Sequence, residues 1–252
     1  MKKGNLVKFA RWQLLLGLAL VVLSALLYAI QYAIFQTPNS IAFYFFQDLA
    51  FLPIEVFLVT LILHSLLNLH EKRERLKKMN MVIGAFFSEV GTGLIERLSV
   101  FIPDFPEMGK PLHVQVGWTP KRFTEAASKI RGRTFVIDSR RGDLSGMKRF
   151  LVEERAFLLR LLENPNLLEH DSFTDLLWAV FHLSDELDHR NDLALLPETD
   201  FDHLSGDMKR AFTLLILEWL AYMRYLKTDY PYLFSLAVRT NPFDPDASVI
   251  IR

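Results

Sequence analysis

Two groups of residues in this chain have the types and spacing to do chemistry. The first is an acidic pair, Asp48 and Glu55, inside the apolar run QDLAFLPIEVFLVTLILHSLL, Gln47 to Leu67. Seven residues is close to two helical turns, so the two carboxylates fall on nearly one face, which Leu52, Val59, Ile62 and Leu66 continue. A lone charge at the centre of a bilayer costs roughly 2.5–3.5 kcal/mol on insertion scales, so such residues face a bundle interior, water or a basic partner. Neither apolar stretch of this chain offers a cation at that depth. Several copies lined up around an axis would turn Asp48 and Glu55 into rings of acid facing water, an arrangement that attracts cations. The plainer alternatives are a protonated Glu55, or one bonded to Gln31, Tyr28 or Ser24, with Pro53 simply kinking the helix. His64 falls on almost the opposite face and reads as interfacial.

The second group lies in HLSDELDHRNDLALLPETDFDH, His182 to His203. His182, Glu186 and His189 follow an i, i+4, i+7 pattern on one helical face, with Asp185 beside them. Glu186-x-x-His189 resembles the Glu-x-x-His element of di-iron carboxylate bundles, and Asp200-x-x-His203 is a loose echo of it. Such a site needs further inward carboxylates from other helices, and Glu218 is the obvious candidate. The cofactor this pattern implies is a divalent metal ion; the plain alternative is a solvated helix end.

Composition narrows the rest. The 252 residues carry 29 Lys and Arg against 29 Asp and Glu, so no global charge draws the chain to nucleic acid. There is no cysteine, which excludes disulfides, thiol catalysis and thiolate metal sites. No phosphate-binding loop, dinucleotide fingerprint, nucleophile elbow or His-Glu-x-x-His element occurs, so no motif marks the chain as an enzyme. RRGDLSG, Arg140 to Gly146, reads as a loop that caps the helix after it. Trp118, Trp178 and Trp219 read as core.

The acidic pair needs a scaffold in lipid. From Trp12 to Gln47 there is no charged residue, and 12–35 makes a helix of roughly 36 Å, enough to cross a hydrocarbon core of about 30 Å. Lys2, Lys3, Lys8 and Arg11 could instead begin a signal peptide, but the apolar run is too long and no small-x-small cleavage site follows. Gln36–Ser40 forms a turn, and a second span covers about 43–69. It opens on the aromatic cluster Phe43–Phe46 and ends at the basic stretch HEKRERLKK. Lys72, Arg73, Arg75, Lys77 and Lys78 are candidates for anionic lipid headgroups. Positive charge at both outer ends puts the N- and C-termini in the cytoplasm of a multi-pass protein of the inner or plasma membrane.

Three regions follow: a transmembrane hairpin over 1–70, a juxtamembrane helix over 71–100 extending the second span, and a cytoplasmic α-helical domain over 101–252. The class is all-α. Met79, Ile83, Phe86, Phe87, Val90, Leu94 and Leu98 make an apolar stripe that must be buried, in the cytoplasmic core or against a second copy. Residues 101–120 read as irregular, with a short strand at 112–116. Thr119-Pro120 predicts a helix start. One helix is expected across 145–164, another from Asp171 or Ser172, a greasy central one over 208–227 and a last after Pro231. The apolar end of the tail, Val249 to Ile251, is expected to pack on a neighbour. Charge is sorted: residues 121–149 hold nine Lys or Arg and three Asp or Glu, while 163–207 hold one Arg and twelve Asp or Glu. The basic half could face anionic lipid, or the two halves could neutralise each other.

YPYLFSLAVRTNPFDP near the end and FFQDLAFLPIEVFLVTLI near the start resemble uncharacterised prokaryotic membrane proteins of the same two-span layout. That resemblance implies topology and localisation, and no activity. The function these observations favour is a homo-oligomeric cation channel, or a subunit of one, gated by its cytoplasmic domain. The alternatives are a membrane-anchored interaction module and a membrane-bound divalent-metal protein. The partners expected are the bilayer, anionic lipids and further copies of the chain.

Overall fold

The computed structural model describes residues 38–132, 135–164, 167 and 170–250, together with Val22, Leu26, Ala29, Ile30, Tyr32 and Ala33. These residues form helices joined by turns, with no strand among them, in keeping with the all-α class. In chain order, α1 is Pro38–Phe86, followed by a π-helical turn, Phe87–Gly91. Next come α2, Thr92–Ser99, α3, Phe105–Gly109, and α4, Pro120–Gly132. Then follow α5, Leu144–Glu153, α6, Arg155–Leu162, and α7, Asp171–Asp188. The long α8, Glu198–Asp229, and α9, Pro231–Arg239, close the order. The chain divides into two compact units, Met1–Glu71 and Lys72–Arg252.

In the first unit, α1 starts at Pro38, where a missing N–H costs nothing, and runs on through Pro53. Its described apolar side chains point outward. Phe57, Leu58, Val59, Leu61, Ile62, Leu63, Leu66 and Leu67 are each at least half exposed, and at about 100° per residue they spread around most of the helix circumference. Among the described residues no helix is long and apolar enough to cross a membrane. The predicted first span, 12–35, lies outside the described residues apart from the six named.

The second unit has one continuous core. Its centre is α8, which packs against α7, α4, α9 and α2 and buries Phe212, Leu215, Ile216, Trp219 and Leu220. The stripe from Met79 to Leu98 is buried in this core at all seven positions. Of the two partners its pattern allowed, the core of its own chain takes it.

Local signals set several starts. Thr119 Oγ1 accepts from Arg122 N (3.4 Å) at the head of α4, and Asp143 Oδ1 accepts from Gly146 N (2.8 Å) at the head of α5. The second is the cap expected of the Arg140–Gly146 loop. α7 begins where predicted, but its cap is His170, whose Nδ1 accepts from Phe173 N (3.1 Å).

Other expectations are corrected. No strand forms at 112–116: Lys110–Leu112 is a 3-10 turn, and the Leu112 carbonyl accepts from the buried Asn241 side chain (3.2 Å) rather than from a ladder. The single helix over 145–164 is two, broken at Glu154, where Ser184 Oγ from α7 reaches the Leu151 carbonyl (3.5 Å). Trp178 is exposed, while Trp118 and Trp219 are core. In the tail Val249 and Ile250 are exposed, and Phe243 does the packing, against Trp219 and Phe105.

The π-helical turn allows a sharp prediction at Gly91. Its backbone is ordinary right-handed helix (φ −61°), so the constraint is space. A Cβ there would lie 2.6 Å from Phe87 Cδ1 and 2.8 Å from Phe86 Cε1, both buried rings. Gly91→Ala should lower stability by about 1–3 kcal/mol through overpacking, although Ala is the better helix former by about 1 kcal/mol. A melting curve checks this, and an unchanged or higher midpoint would mean that the rings give way.

Candidate functional site

The chemistry-bearing side chains of the second unit gather where α7 and α8 meet. These helices run antiparallel: His182 meets Asp207, Glu186 meets His203 and Arg190 meets Asp200. Each helix presents a pair one turn apart, His182 and Glu186 on α7, His203 and Asp207 on α8. The N-terminus of α8 follows Pro197 and carries Glu198 and Asp200 in its first turn, where the helix dipole favours negative charge.

At the centre is Asp207, only 4 % exposed. Its Oδ2 lies 3.4 Å from His182 Nε2 and 3.3 Å from His203 Nε2, yet has no hydrogen-bond partner. Its Oδ1 faces Arg210 Nη1 at 3.2 Å. Glu186 stands beside the imidazoles, with Oε1 3.8 Å from His182 Nε2 and Oε2 3.6 Å from His203 Nε2. Donor atoms of His182, His203 and Asp207 all lie within 4.8 Å of one another, close enough to share one ion.

Arg190 braces this cluster from the end of α7. Its Nη1 donates to Glu186 Oε2 (2.7 Å), while Nε and Nη2 grip both oxygens of Asp200 (2.7 Å each). These hydrogen bonds hold the Glu186 carboxyl below its ordinary range, with the charge of Arg190 and then of the two histidines adding to the effect. Asp200 is held low by the same guanidinium, and Arg190 itself is pushed up by its carboxylate partners.

The structure thus brings together two of the three residues expected from the sequence, His182 and Glu186. His189 is elsewhere: it ends α7, is exposed, and its Nδ1 contacts the Asp185 carbonyl at 2.8 Å. Its place is taken by His203 and Asp207. The signal that could have found them is a second i, i+4 pair, His203-x-x-x-Asp207, echoing His182-x-x-x-Glu186. Glu218 is buried on α8 but eleven residues beyond Asp207, about 16 Å along the helix. It lines a separate cavity of about 440 Å³ with Asn80, Tyr222 and Tyr225.

In the first unit Asp48 and Glu55 are both exposed on α1, as is His64. Lys77 and Lys78 are exposed too; the side chains of Lys72, Arg73 and Arg75 lie outside the described part of the structure. The sorted charge finds partners within the fold. Arg140 pairs with Glu198 and Asp202, and Lys148 Nζ reaches the Asp188 carbonyl (3.0 Å).

Residues 75–239 match the C-terminal helical domain of the uncharacterized protein MJ1433, and residues 7–67 match its N-terminal helical domain. The chain belongs to the MJ1433 family. It is 44 % identical over 242 residues to the uncharacterized protein MJ1433 of Methanocaldococcus jannaschii, covering 96 % of this chain and 97 % of that one. No solved structure matches it. The gap between the two MJ1433 domains, 68–74, brackets the division at Glu71, and the whole His182–Asp207 cluster falls in the C-terminal domain.

The bracing by Arg190 predicts an acid dependence. Glu186 and Asp200 have depressed folded-state pKa values, so their contribution is full above the ordinary carboxylate range of about 3.9–4.3 and is lost as pH falls through the lower folded values. Arg190→Met should cost about 1.5–3 kcal/mol at pH 7, the scale of charged hydrogen bonds, and should flatten part of the acid transition. Melting temperature against pH for both proteins measures this. A variant as acid-sensitive as the parent would mean that the bracing is idle.

Proposed function

We propose that this member of the MJ1433 family is a membrane-anchored regulatory module: an apolar N-terminal hairpin holds it in the bilayer, and the helical C-terminal domain carries the working surface. The observation that carries this is the outer face of α1. A helix that exposes Phe57, Leu58, Val59, Leu61, Ile62 and Leu63 all round its girth needs an apolar surrounding, since a surface helix in water keeps one polar face. The uncharged run from Trp12 to Gln47 supports a second apolar element beside it. The apolar runs of the full sequence, 12–35 and 43–69, support the same reading. Basic residues at both outer ends favour an inner or plasma membrane with both termini on the cytoplasmic side. Lys77 and Lys78, exposed at the end of the apolar run, suit anionic headgroups.

The full chain expressed in a prokaryotic host should stay with the membrane through alkaline carbonate extraction, and a protease should cut C-terminal sites only in inside-out vesicles. Release by carbonate would overturn the anchor.

A second reading, a homo-oligomeric cation conductor, is favoured by one observation. Glu55 is exposed among apolar neighbours on α1, and a two-helix hairpin is too thin to shelter a carboxylate from lipid. Under that reading purified protein in liposomes passes monovalent cations, and Glu55→Gln changes their relative permeability. No flux above that of empty liposomes would leave the anchor alone.

A further inference from the structure

We propose that the C-terminal domain binds one divalent first-row transition ion at His182 Nε2, His203 Nε2 and Asp207 Oδ2, with Glu186 as the fourth donor in reach. The inference stands whether or not the N-terminal unit is an anchor.

Three observations carry it. The first is the orphaned oxygen. A carboxylate oxygen buried without a hydrogen bond is an acceptor whose lost hydration no hydrogen bond replaces. Asp207 Oδ2 is such an atom, and it is aimed between two imidazole nitrogens that make no hydrogen bond to it. An ion in that gap would satisfy it. The second is spacing. Zinc–ligand bonds of about 2.0–2.1 Å in a tetrahedron put neighbouring donor atoms about 3.3 Å apart. The two distances from Asp207 Oδ2 to the imidazoles are 3.4 and 3.3 Å; Glu186 faces each imidazole with a different oxygen, Oε1 at 3.8 Å from His182 Nε2 and Oε2 at 3.6 Å from His203 Nε2. The third is support behind the donors. Metal-binding carboxylates are themselves held by outer hydrogen bonds. Arg210 meets the far oxygen of Asp207, and Arg190 fixes Glu186 and is fixed in turn by Asp200.

The donor set selects the class of ion. Magnesium and calcium take oxygen ligands almost throughout, so two imidazoles argue against both. Two imidazoles with carboxylates suit zinc and its first-row neighbours. Four donors, all from the protein, leave no open position, so the ion acts as a clamp that ties α7 to α8 rather than as a catalyst.

The test uses the full chain in detergent, stripped with a chelator and titrated with Zn²⁺ by calorimetry. One ion should bind per chain, unaffected by millimolar Mg²⁺ or Ca²⁺, and should raise the melting temperature, as a ligand of the folded state must. His203→Ala and Asp207→Asn should each weaken binding by about 100-fold or more, beyond the 10–100-fold typical of outer-shell losses. His189→Ala should bind as the parent does. Should the variants fail to fold, Co²⁺ added to the parent protein serves instead: intense visible absorption bands of tetrahedral cobalt are expected, and their absence counts against the site. The proposal is overturned if Zn²⁺ does not bind, if folded His203→Ala and Asp207→Asn bind it as tightly as the parent, or if His189→Ala abolishes binding.

Discussion

The second unit depends on one constraint: α8 is a 32-residue helix surrounded on several sides, so every polar group on its inner faces must be answered by another element. Apolar positions such as Phe212, Leu215 and Ile216 meet this by packing alone. Asp207 cannot. It sits near the end of α8 that pairs with the last turns of α7, and both the charges and the imidazoles of that corner are arranged around it. The same constraint explains the buried Ser139 beneath the first turns of α8. Its hydroxyl donates to the Phe201 carbonyl (2.7 Å), and its N–H donates to Ser205 Oγ (3.0 Å).

A second layer of charge secures the corner. Arg190 closes α7 and grips the first turn of α8 through Asp200, while Arg140, from the loop before α5, grips Glu198 and Asp202 on neighbouring positions. The N-terminal turns of α8 are therefore held by guanidiniums from two separate segments. Two residues of the basic 121–149 stretch thus reach the acidic 163–207 stretch: Arg140 meets Glu198 and Asp202, and Lys148 meets Asp188.

The two units meet the hydrophobic effect in opposite ways. In the second, apolar side chains face one another and leave water together. In the first, α1 exposes large apolar side chains such as Phe57, Leu58, Ile62 and Leu67. From Met79 onward the apolar positions Met79, Ile83 and Phe86 of α1 are buried.

Much of the local structure was legible in the residues themselves. Thr119-Pro120 and Asp143 mark helix starts because a short polar side chain caps a backbone N–H three residues on, a contact that needs nothing distant. The stripe from Met79 to Leu98 was legible as a buried face because helical period alone decides which residues align. What covers that face was not legible, since its own core and a second copy fit one pattern equally well. The metal-type cluster divides in the same way. His182 and Glu186 share a face by spacing on one helix. His203 and Asp207 join them only because α8 starts ten residues earlier than its apolar run, and because two helices dock in one register. His189 fits the spacing but falls where α7 ends. Spacing along a helix sets which side chains share a face; which faces meet is set by packing between segments distant in the chain, and that only the tertiary structure decided.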